Sequence, residues 1–140
     1  MVKITKREVF KLNKGLKMHR LINDISDAFN QSYQDGIMIS KDINNKQFDM
    51  TLSEATKKRK GHGKPLLDKG KMKDTWIKKR ATSQNRVAII SINKRERGVP
   101  SIVHNEGLGG FPKREWFGVG IVQIKIAIKE QIKHIRRALQ

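Results

Sequence analysis

The sequence contains no cysteine and no long hydrophobic run. The absence of cysteine excludes disulfide bonds, thiolate metal sites and cysteine nucleophiles. The longest uninterrupted apolar stretches, such as residues 87–90, fall far short of the roughly 20 residues that a membrane-spanning helix needs. The basic residues at 1–7 lead into no apolar segment of the kind found in secretory signal peptides. We therefore expect a protein that starts in the cytoplasm and has no membrane partner.

Acidic residues are also scarce. Thirteen Asp and Glu stand against 31 Lys and Arg, which gives a formal net charge of +18 over 140 residues. So large a charge on a small body creates a strong positive field. Nucleic acid is the usual partner of such a field, although an acidic neighbouring subunit or an anionic membrane surface would satisfy the same electrostatics. With 36% hydrophobic residues, the chain is expected to form a single domain over 1–140 with a modest core.

The N-terminal part of the chain has a helical pattern. Residues 1–14 fit either an extended arm or a short helix. Over 15–34 the apolar residues recur at spacings of three and four, which predicts an amphipathic helix. The pair Asp35 and Gly36 is predicted to end that helix, because glycine readily takes the left-handed conformation of a helix C-terminus. Residues 37–39 fit either a short strand or more helix.

A second, short helix is predicted close to Glu54. Thr51 has the capping-box spacing to Glu54, and Ser53 could cap the helix instead. The helix leads into residues 57–64, a basic tract broken by glycines that we predict to be a flexible, solvent-facing loop. A solvated loop explains this tract without a partner, and the functional alternative is a loop that reaches toward phosphates. Its candidate contacts with DNA or an acidic partner are Lys57, Lys58, Arg59, Lys60 and Lys64.

A turn at residues 64–76 separates this helical part from a region that reads as sheet. Pro65 fixes its own φ and disfavours helix before it, and Gly70 allows conformations that other residues avoid. Residues 75–93 then fit a hairpin, with a polar connection at 81–85. The strand at 86–93 is apolar on both faces, so we expect it to lie centrally in a sheet or against another subunit.

The C-terminal stretch, 119–139, is predicted to be a long helix with two distinct faces. Its apolar residues fall within a narrow stripe at about 100° per residue; they are Ile121, Ile124, Ile128, Ile132, Ile135 and Leu139. A basic flank lies beside the stripe and comprises Lys125, Lys129, Lys133 and Arg136. Cations near a helix C-terminus also suit the helix dipole, so part of this pattern needs no partner. Together the elements predict an α+β fold, a small antiparallel or mixed sheet packed by an N-terminal and a long C-terminal helix.

Residues that could support catalysis are present but not grouped. The four histidines form no HxH, HExxH or histidine-carboxylate cluster, so we expect no metal site and no cofactor. His104 and Glu106 would share a face on a strand, but one such pair is not an active site. The glycines at 107–110 match neither a P-loop nor a dinucleotide fingerprint. The aromatic residues could stack on bases, but beside turns they are more often part of a core; they are Trp76, Phe111, Trp116 and Phe117.

Several segments together resemble a known family. Residues 65–75, PLLDKGKMKDT, are similar to the signature P-L-x-x-T-G-x-L-x-x-S of the phage virion morphogenesis family, which includes tail-completion proteins of long-tailed phages. Residues 103–107, VHNEG, and 112–118, PKREWFG, resemble its I-H-x-x-G and P-x-R-x-F/W-F/L-G elements. Residues 48–60 resemble its W-x-x-L-s-x-x-T-x-x-r-K segment. The likeness runs from about residue 48 to the end of the chain, with Lys69, Met72, Thr75 and Phe48 as departures.

This resemblance implies a structural virion protein and not an enzyme. It implies an α+β subunit of an oligomeric ring, often a hexamer, that completes or terminates the tail at the head-tail junction. The implied partners are further copies of the chain, the tail tube, head-completion or neck proteins, and DNA that passes through the ring without sequence readout. The implied location is the virion, with assembly in the host cytoplasm.

The same resemblance assigns structural roles to individual residues. Gly70, Gly107 and Gly118 would form turns, Arg114 would clamp a carboxylate or the main chain, and His104 would donate or accept a hydrogen bond. The remaining motif positions are Pro65, Leu66, Met72, Pro112 and Phe117. The alternative from another functional class is a free basic nucleic-acid-binding protein without catalytic activity, which would use the same basic faces.

Overall fold

The computed structural model describes residues 17–49, 52–67, 73–92, 95–96 and 99–140. Helices α1 (Met18–Ile39) and α2 (Glu54–Lys60) precede strands β1 (Thr75–Lys79), β2 (Ile89–Ile92), β3 (Arg95–Glu96) and β4 (Val99–Pro100), and helices α3 (Ser101–Glu106) and α4 (Ile121–Leu139) follow. The strands form two antiparallel pairs, β1 with β2 and β3 with β4. The predicted α+β fold is confirmed.

Helix α1 supplies the surface on which α4 and the β1–β2 pair pack. Its apolar face turns inward at Leu21, Tyr33 and Ile37. The predicted stop at Asp35 and Gly36 is wrong, because the helix continues to Ile39 and ends at Ser40 in a left-handed conformation. The backbone N–H of Lys41 donates to the Gly36 carbonyl at 2.8 Å, so the capping turn comes one helical turn later. Residues 37–39 are therefore helical.

Helix α2 occupies part of the tract that we predicted to be a flexible loop. The Ser53 hydroxyl accepts a hydrogen bond from the Thr56 N–H at 3.2 Å and caps the helix. Thr51, the other candidate cap, lies outside the described residues. Lys57–Lys60 form the last turn of α2, and Gly61 ends it at φ 75°. The loop prediction is thus wrong for residues 57–60.

Strands β1 and β2 form the hairpin predicted at 75–93. Thr75 is opposite Ile92 and Ile77 is opposite Ile90, with an irregularity in register between Ile77 and Lys79. Helix α1 contacts both strands. The side-chain amide of Gln34 on α1 donates to the Thr75 carbonyl at 2.9 Å, which fixes the start of β1 against the helix.

The end of β1 is fixed to α1 as well. The side chain of Asn23 donates to the Ala81 carbonyl at 3.0 Å and accepts from the Ala81 N–H at 2.8 Å. In the part of the chain that the structure describes, β1 and β2 have no third strand beside them. The predicted central position of the 86–93 strand is therefore not found within one described chain.

Helix α4 runs antiparallel to α1. The Gln123 amide near its start donates to the Ser32 hydroxyl at 3.1 Å, and Arg137 near its end lies 3.6 Å from the Asp24 carboxylate. The chain reaches α4 by passing close to Ile43. A Cβ on Gly120 would lie 2.5 Å from the Ile43 carbonyl oxygen, so only glycine fits this approach.

Candidate interaction surfaces

The two halves of the family-like motif meet in the hydrophobic core. Leu66 packs in one buried cluster with Ile37, Phe48 and Trp116, and Phe117 lies against that cluster. Pro65 is fully buried. Leu66 itself has φ 56°, a left-handed conformation that costs about 1 kcal/mol or more for a residue with a Cβ. The motif positions Gly70 and Met72 lie outside the described residues. At the described positions Pro65, Leu66, Trp116 and Phe117, the motif builds the fold and presents no reactive group.

Arg114 holds two segments together. Its side chain is 3% exposed, and its Nε donates to the Asp49 carbonyl at 2.9 Å. Its backbone N–H donates to the His104 carbonyl at 2.9 Å. Burial lowers the pKa of the Arg114 guanidinium from its ordinary value, and the nearby Asp49 opposes that effect. This arginine is a main-chain clamp and not a surface cation.

The residues around Arg114 form a connected turn. Gly107 has φ 70°, and a Cβ there would lie 2.9 Å from the Lys113 Cβ, just after Pro112. Gly118 has φ 139°, and its carbonyl accepts a hydrogen bond from the Tyr33 hydroxyl at 2.6 Å. The turn that carries the second half of the motif is thereby tied to α1.

The segment around His104 is helical. His104 and Glu106 lie two residues apart on α3, so they do not share a face as they would on a strand. The His104 ring meets Phe111 edge to face, with ring centroids 5.0 Å apart. In the described residues, no group of three or more His, Cys, Asp or Glu side chains could hold a metal ion.

The candidate basic residues of 57–64 are partly engaged within the chain. Lys57 Nζ lies 2.7 Å from the Glu54 carboxylate. Lys60 Nζ donates to the Lys64 carbonyl at 2.6 Å, and Lys64 Nζ donates to the Met38 carbonyl at 3.1 Å. Lys58 and Arg59 are exposed on the surface of α2. This group is anchored at the C-terminal end of α1.

The basic flank of α4 lies along the other candidate surface. Lys125, Lys129, Lys133 and Arg136 are all exposed. Arg136 precedes Arg137, which pairs with Asp24 near the start of α1, whereas Lys64 binds Met38 near its end. Those two anchor points on α1 are about 21 Å apart at 1.5 Å per residue. The C-terminal end of the basic flank and Lys64 therefore lie at opposite ends of α1.

The apolar stripe of α4 faces away from the core. Its six aliphatic side chains are 40–52% exposed. The buried side of α4 is instead polar and carries Gln123 and His134. The Oε1 atom of Gln123 accepts from the Gly120 N–H at 3.2 Å while its amide donates to Ser32, so this buried amide is satisfied on both sides. The stripe is an uncovered surface.

A second uncovered surface lies on the outer face of the β1–β2 sheet. Trp76 is 45% exposed and Ile89 is similarly open, and Val87, just before β2, is exposed as well. The expectation that the aromatic residues belong to the core is wrong for Trp76 and for Phe111, which is also exposed, and right for Trp116. Successive side chains on a strand point to opposite faces, so α1 covers Thr75 and leaves Trp76 outside.

A charged cleft that the sequence analysis missed lies where α1 begins and α4 ends. Four cations and two carboxylates line a cavity of about 600 Å³; they are Lys17, Arg20, Arg80, Arg137, Asp24 and Asp27. The Arg80 guanidinium binds both oxygens of Asp27, at 3.0 and 2.8 Å. These residues come from three distant segments, so no local sequence signal could have grouped them.

No helix in the described part of the chain is long and apolar enough to cross a membrane. Comparisons with protein-family models, with curated proteins and with solved structures find no match to this chain. Its function is therefore inferred from its motifs, its charge and its uncovered surfaces.

Proposed function

We propose that this chain is a subunit of an oligomeric ring that completes the tail of a bacteriophage at the head-tail junction. Its role there is structural and not catalytic. Its neighbours in the virion are further copies of itself, the tail tube and head-completion or neck proteins. DNA passes through the ring, and its phosphates meet cations of the chain without sequence readout. The order and spacing of the motif segments support this proposal.

The observation that carries the proposal is the uncovered β1–β2 sheet. A two-stranded sheet is marginally stable on its own, and its unpaired edges readily accept another strand. Here one face is covered by α1, while the outer face exposes Trp76 and Ile89. Packing against the next subunit would cover these side chains, and the same contact repeated around an axis closes a ring.

The proposal is tested by mass measurement in solution combined with imaging of tails. The wild-type chain is expected to form rings at high concentration or on tails. The paired change Trp76→Ser and Ile89→Ser is expected to keep the circular dichroism of the folded chain and to lose the rings, because it removes the apolar contact. Ile102→Ser is the matched control, since Ile102 on α3 is 55% exposed and lies outside this sheet.

Two results would count against the proposal. A wild-type chain that stays monomeric at all concentrations and never associates with particles would overturn it. Rings that survive the paired substitution unchanged would overturn the assignment of the subunit contact to the sheet.

A further inference from the structure

We propose that the apolar stripe and basic flank of α4 bind an acidic amphipathic helix of another protein. This surface is separate from the β1–β2 sheet, so the inference does not depend on the proposed ring. It rests on the shape of the stripe, on the sign of the charge beside it and on the charge of the segments of this chain that could pack on it.

The shape of the stripe suits a helix lying alongside it. The residues Ile121, Ile124 and Ile128 recur 11 positions later as Ile132, Ile135 and Leu139. A repeat of 11 residues is close to three full helical turns, so the stripe stays nearly parallel to the helix axis. It extends for about 27 Å at 1.5 Å per residue. Aliphatic side chains at these spacings are the anchors through which helices pack side by side.

The charge beside the stripe has one sign. Lys125, Lys129, Lys133 and Arg136 line one side of it, and a groove of about 670 Å³ follows this boundary past Ile128 and Ile132. The only carboxylate on α4, that of Glu130, is 13% exposed and lies 3.3 Å from Lys133. The exposed face of α4 is therefore apolar and cationic, and a complementary helix would present apolar residues beside Asp or Glu.

This charge disfavours a cover supplied by the same chain. Residues 1–16, which lie outside the described part, contain five Lys or Arg and a single Glu8. A second copy of α4 would bring the same basic flank and no free carboxylate in exchange. Helices that lie in a membrane interface commonly use Trp, Phe or Leu on the apolar face, and this stripe contains a single Leu and no Trp or Phe. An acidic helix is the occupant that fits both the stripe and its flank.

The test uses a synthetic helical peptide with a leucine stripe matched to that of α4 and glutamates along one side. Two control peptides carry glutamine or lysine in place of glutamate. We expect the wild-type protein to bind the glutamate peptide, with an affinity that falls as salt rises, and to bind the other two at least tenfold more weakly. Isothermal calorimetry or fluorescence anisotropy measures all three.

Variants of the protein then locate the site. Lys129→Glu with Lys133→Glu, and separately Ile128→Ser with Ile132→Ser, are each expected to weaken binding of the glutamate peptide about tenfold. Lys46→Glu with Ile102→Ser is the matched control, because it removes an exposed cation and an exposed apolar residue that lie in none of the proposed surfaces, and it should bind as the wild type does. Circular dichroism checks that every variant is folded.

Four results would overturn the inference. The first two are that the glutamate peptide fails to bind the wild-type protein, and that the α4 variants bind this peptide as tightly as the wild type does. The third is that the protein binds vesicles of phosphatidylglycerol through α4 more tightly than it binds the peptide, which would make the occupant a membrane. The fourth is that the Ile128→Ser and Ile132→Ser changes abolish self-association while the peptide does not compete for the site, which would make the occupant a second copy of the chain.

Discussion

At the scale of single residues, two glycines of the same turn allow the energetic cost of a left-handed backbone to be distinguished from the cost of steric crowding. Gly107 at φ 70° and Gly109 at φ 62° are both left-handed. A Cβ on Gly107 would lie 2.9 Å from the Lys113 Cβ, whereas nothing lies within 4 Å of one on Gly109. An alanine at either position costs roughly 1 kcal/mol in a left-handed conformation. Only the alanine at position 107 must also displace Lys113, which is the neighbour of the buried Arg114.

We therefore expect Gly107→Ala to lower the free energy of unfolding by about 1–3 kcal/mol more than Gly109→Ala does. Urea denaturation of the two variants beside the wild type measures the difference. Equal losses for the two substitutions would show that the contact with Lys113 relaxes without cost, and that backbone conformation alone accounts for the requirement for glycine.

Tyr33 makes stability depend on pH in the alkaline range. Burial raises the pKa of Tyr33 to about 12 from an ordinary value of 10.0. Below pH 10 the phenol is neutral in both the folded and unfolded chains. Between pH 10 and about 12 the unfolded chain ionises first, so this residue lowers the free energy of unfolding as pH rises.

Tyr33 is the only tyrosine, so the ultraviolet absorbance of phenolate reports its ionisation alone. We expect that signal to rise near pH 12 in the folded protein and near pH 10 in urea. Subtracting the pH dependence of Tyr33→Phe from that of the wild type removes the contribution of the lysines. A folded protein whose phenolate forms at pH 10 would contradict the burial of this hydroxyl.

At the scale of elements, periodicity predicts which residues share a face but not which face another element covers. The spacing of Ile121, Ile124 and Ile128 correctly predicts a helix with an apolar stripe. That the stripe stays outside while Gln123 and His134 turn inward follows from packing against α1. Gln123 donates a hydrogen bond to the Ser32 hydroxyl and accepts one from the Gly120 N–H, and these bonds replace the apolar contact that the sequence pattern leads one to expect.

Long-range contacts also account for the other differences between the predicted and the observed structure. Gly36 does not end α1, because the chain after Ser40 turns back and pairs Phe48 with the Ser40 carbonyl. The strand at 89–92 is apolar on both faces, yet its partner in the described chain is β1 alone. Of the candidate sites, the motif positions could be named from their resemblance to a family signature, since each motif is contiguous. The cleft around Arg80 and Asp27 could not be predicted from the sequence, because these two residues are 53 positions apart in the chain.

At the scale of the whole molecule, the positive charge is distributed and not concentrated. Lys64 lies at one end of α1, the cleft with Arg20 and Arg80 lies at the other, and the basic flank of α4 runs between these ends. One subunit therefore spreads its cations over the length of α1. A ring would repeat one of these groups around its axis, so that many phosphates are neutralised together.

This distribution predicts that DNA binding depends on assembly. The slope of log affinity against log salt grows with the number of phosphates neutralised, by about 0.9 per phosphate. We expect wild-type rings to bind two duplexes of unrelated sequence equally, with a steep salt dependence. The Trp76→Ser and Ile89→Ser variant, which should remain monomeric, is expected to bind both more weakly and with a shallower slope. Anisotropy titrations at rising salt measure both quantities. If the monomeric variant instead binds as tightly and as steeply as the wild type, the cations of one chain suffice, and the protein acts as a free nucleic-acid-binding protein.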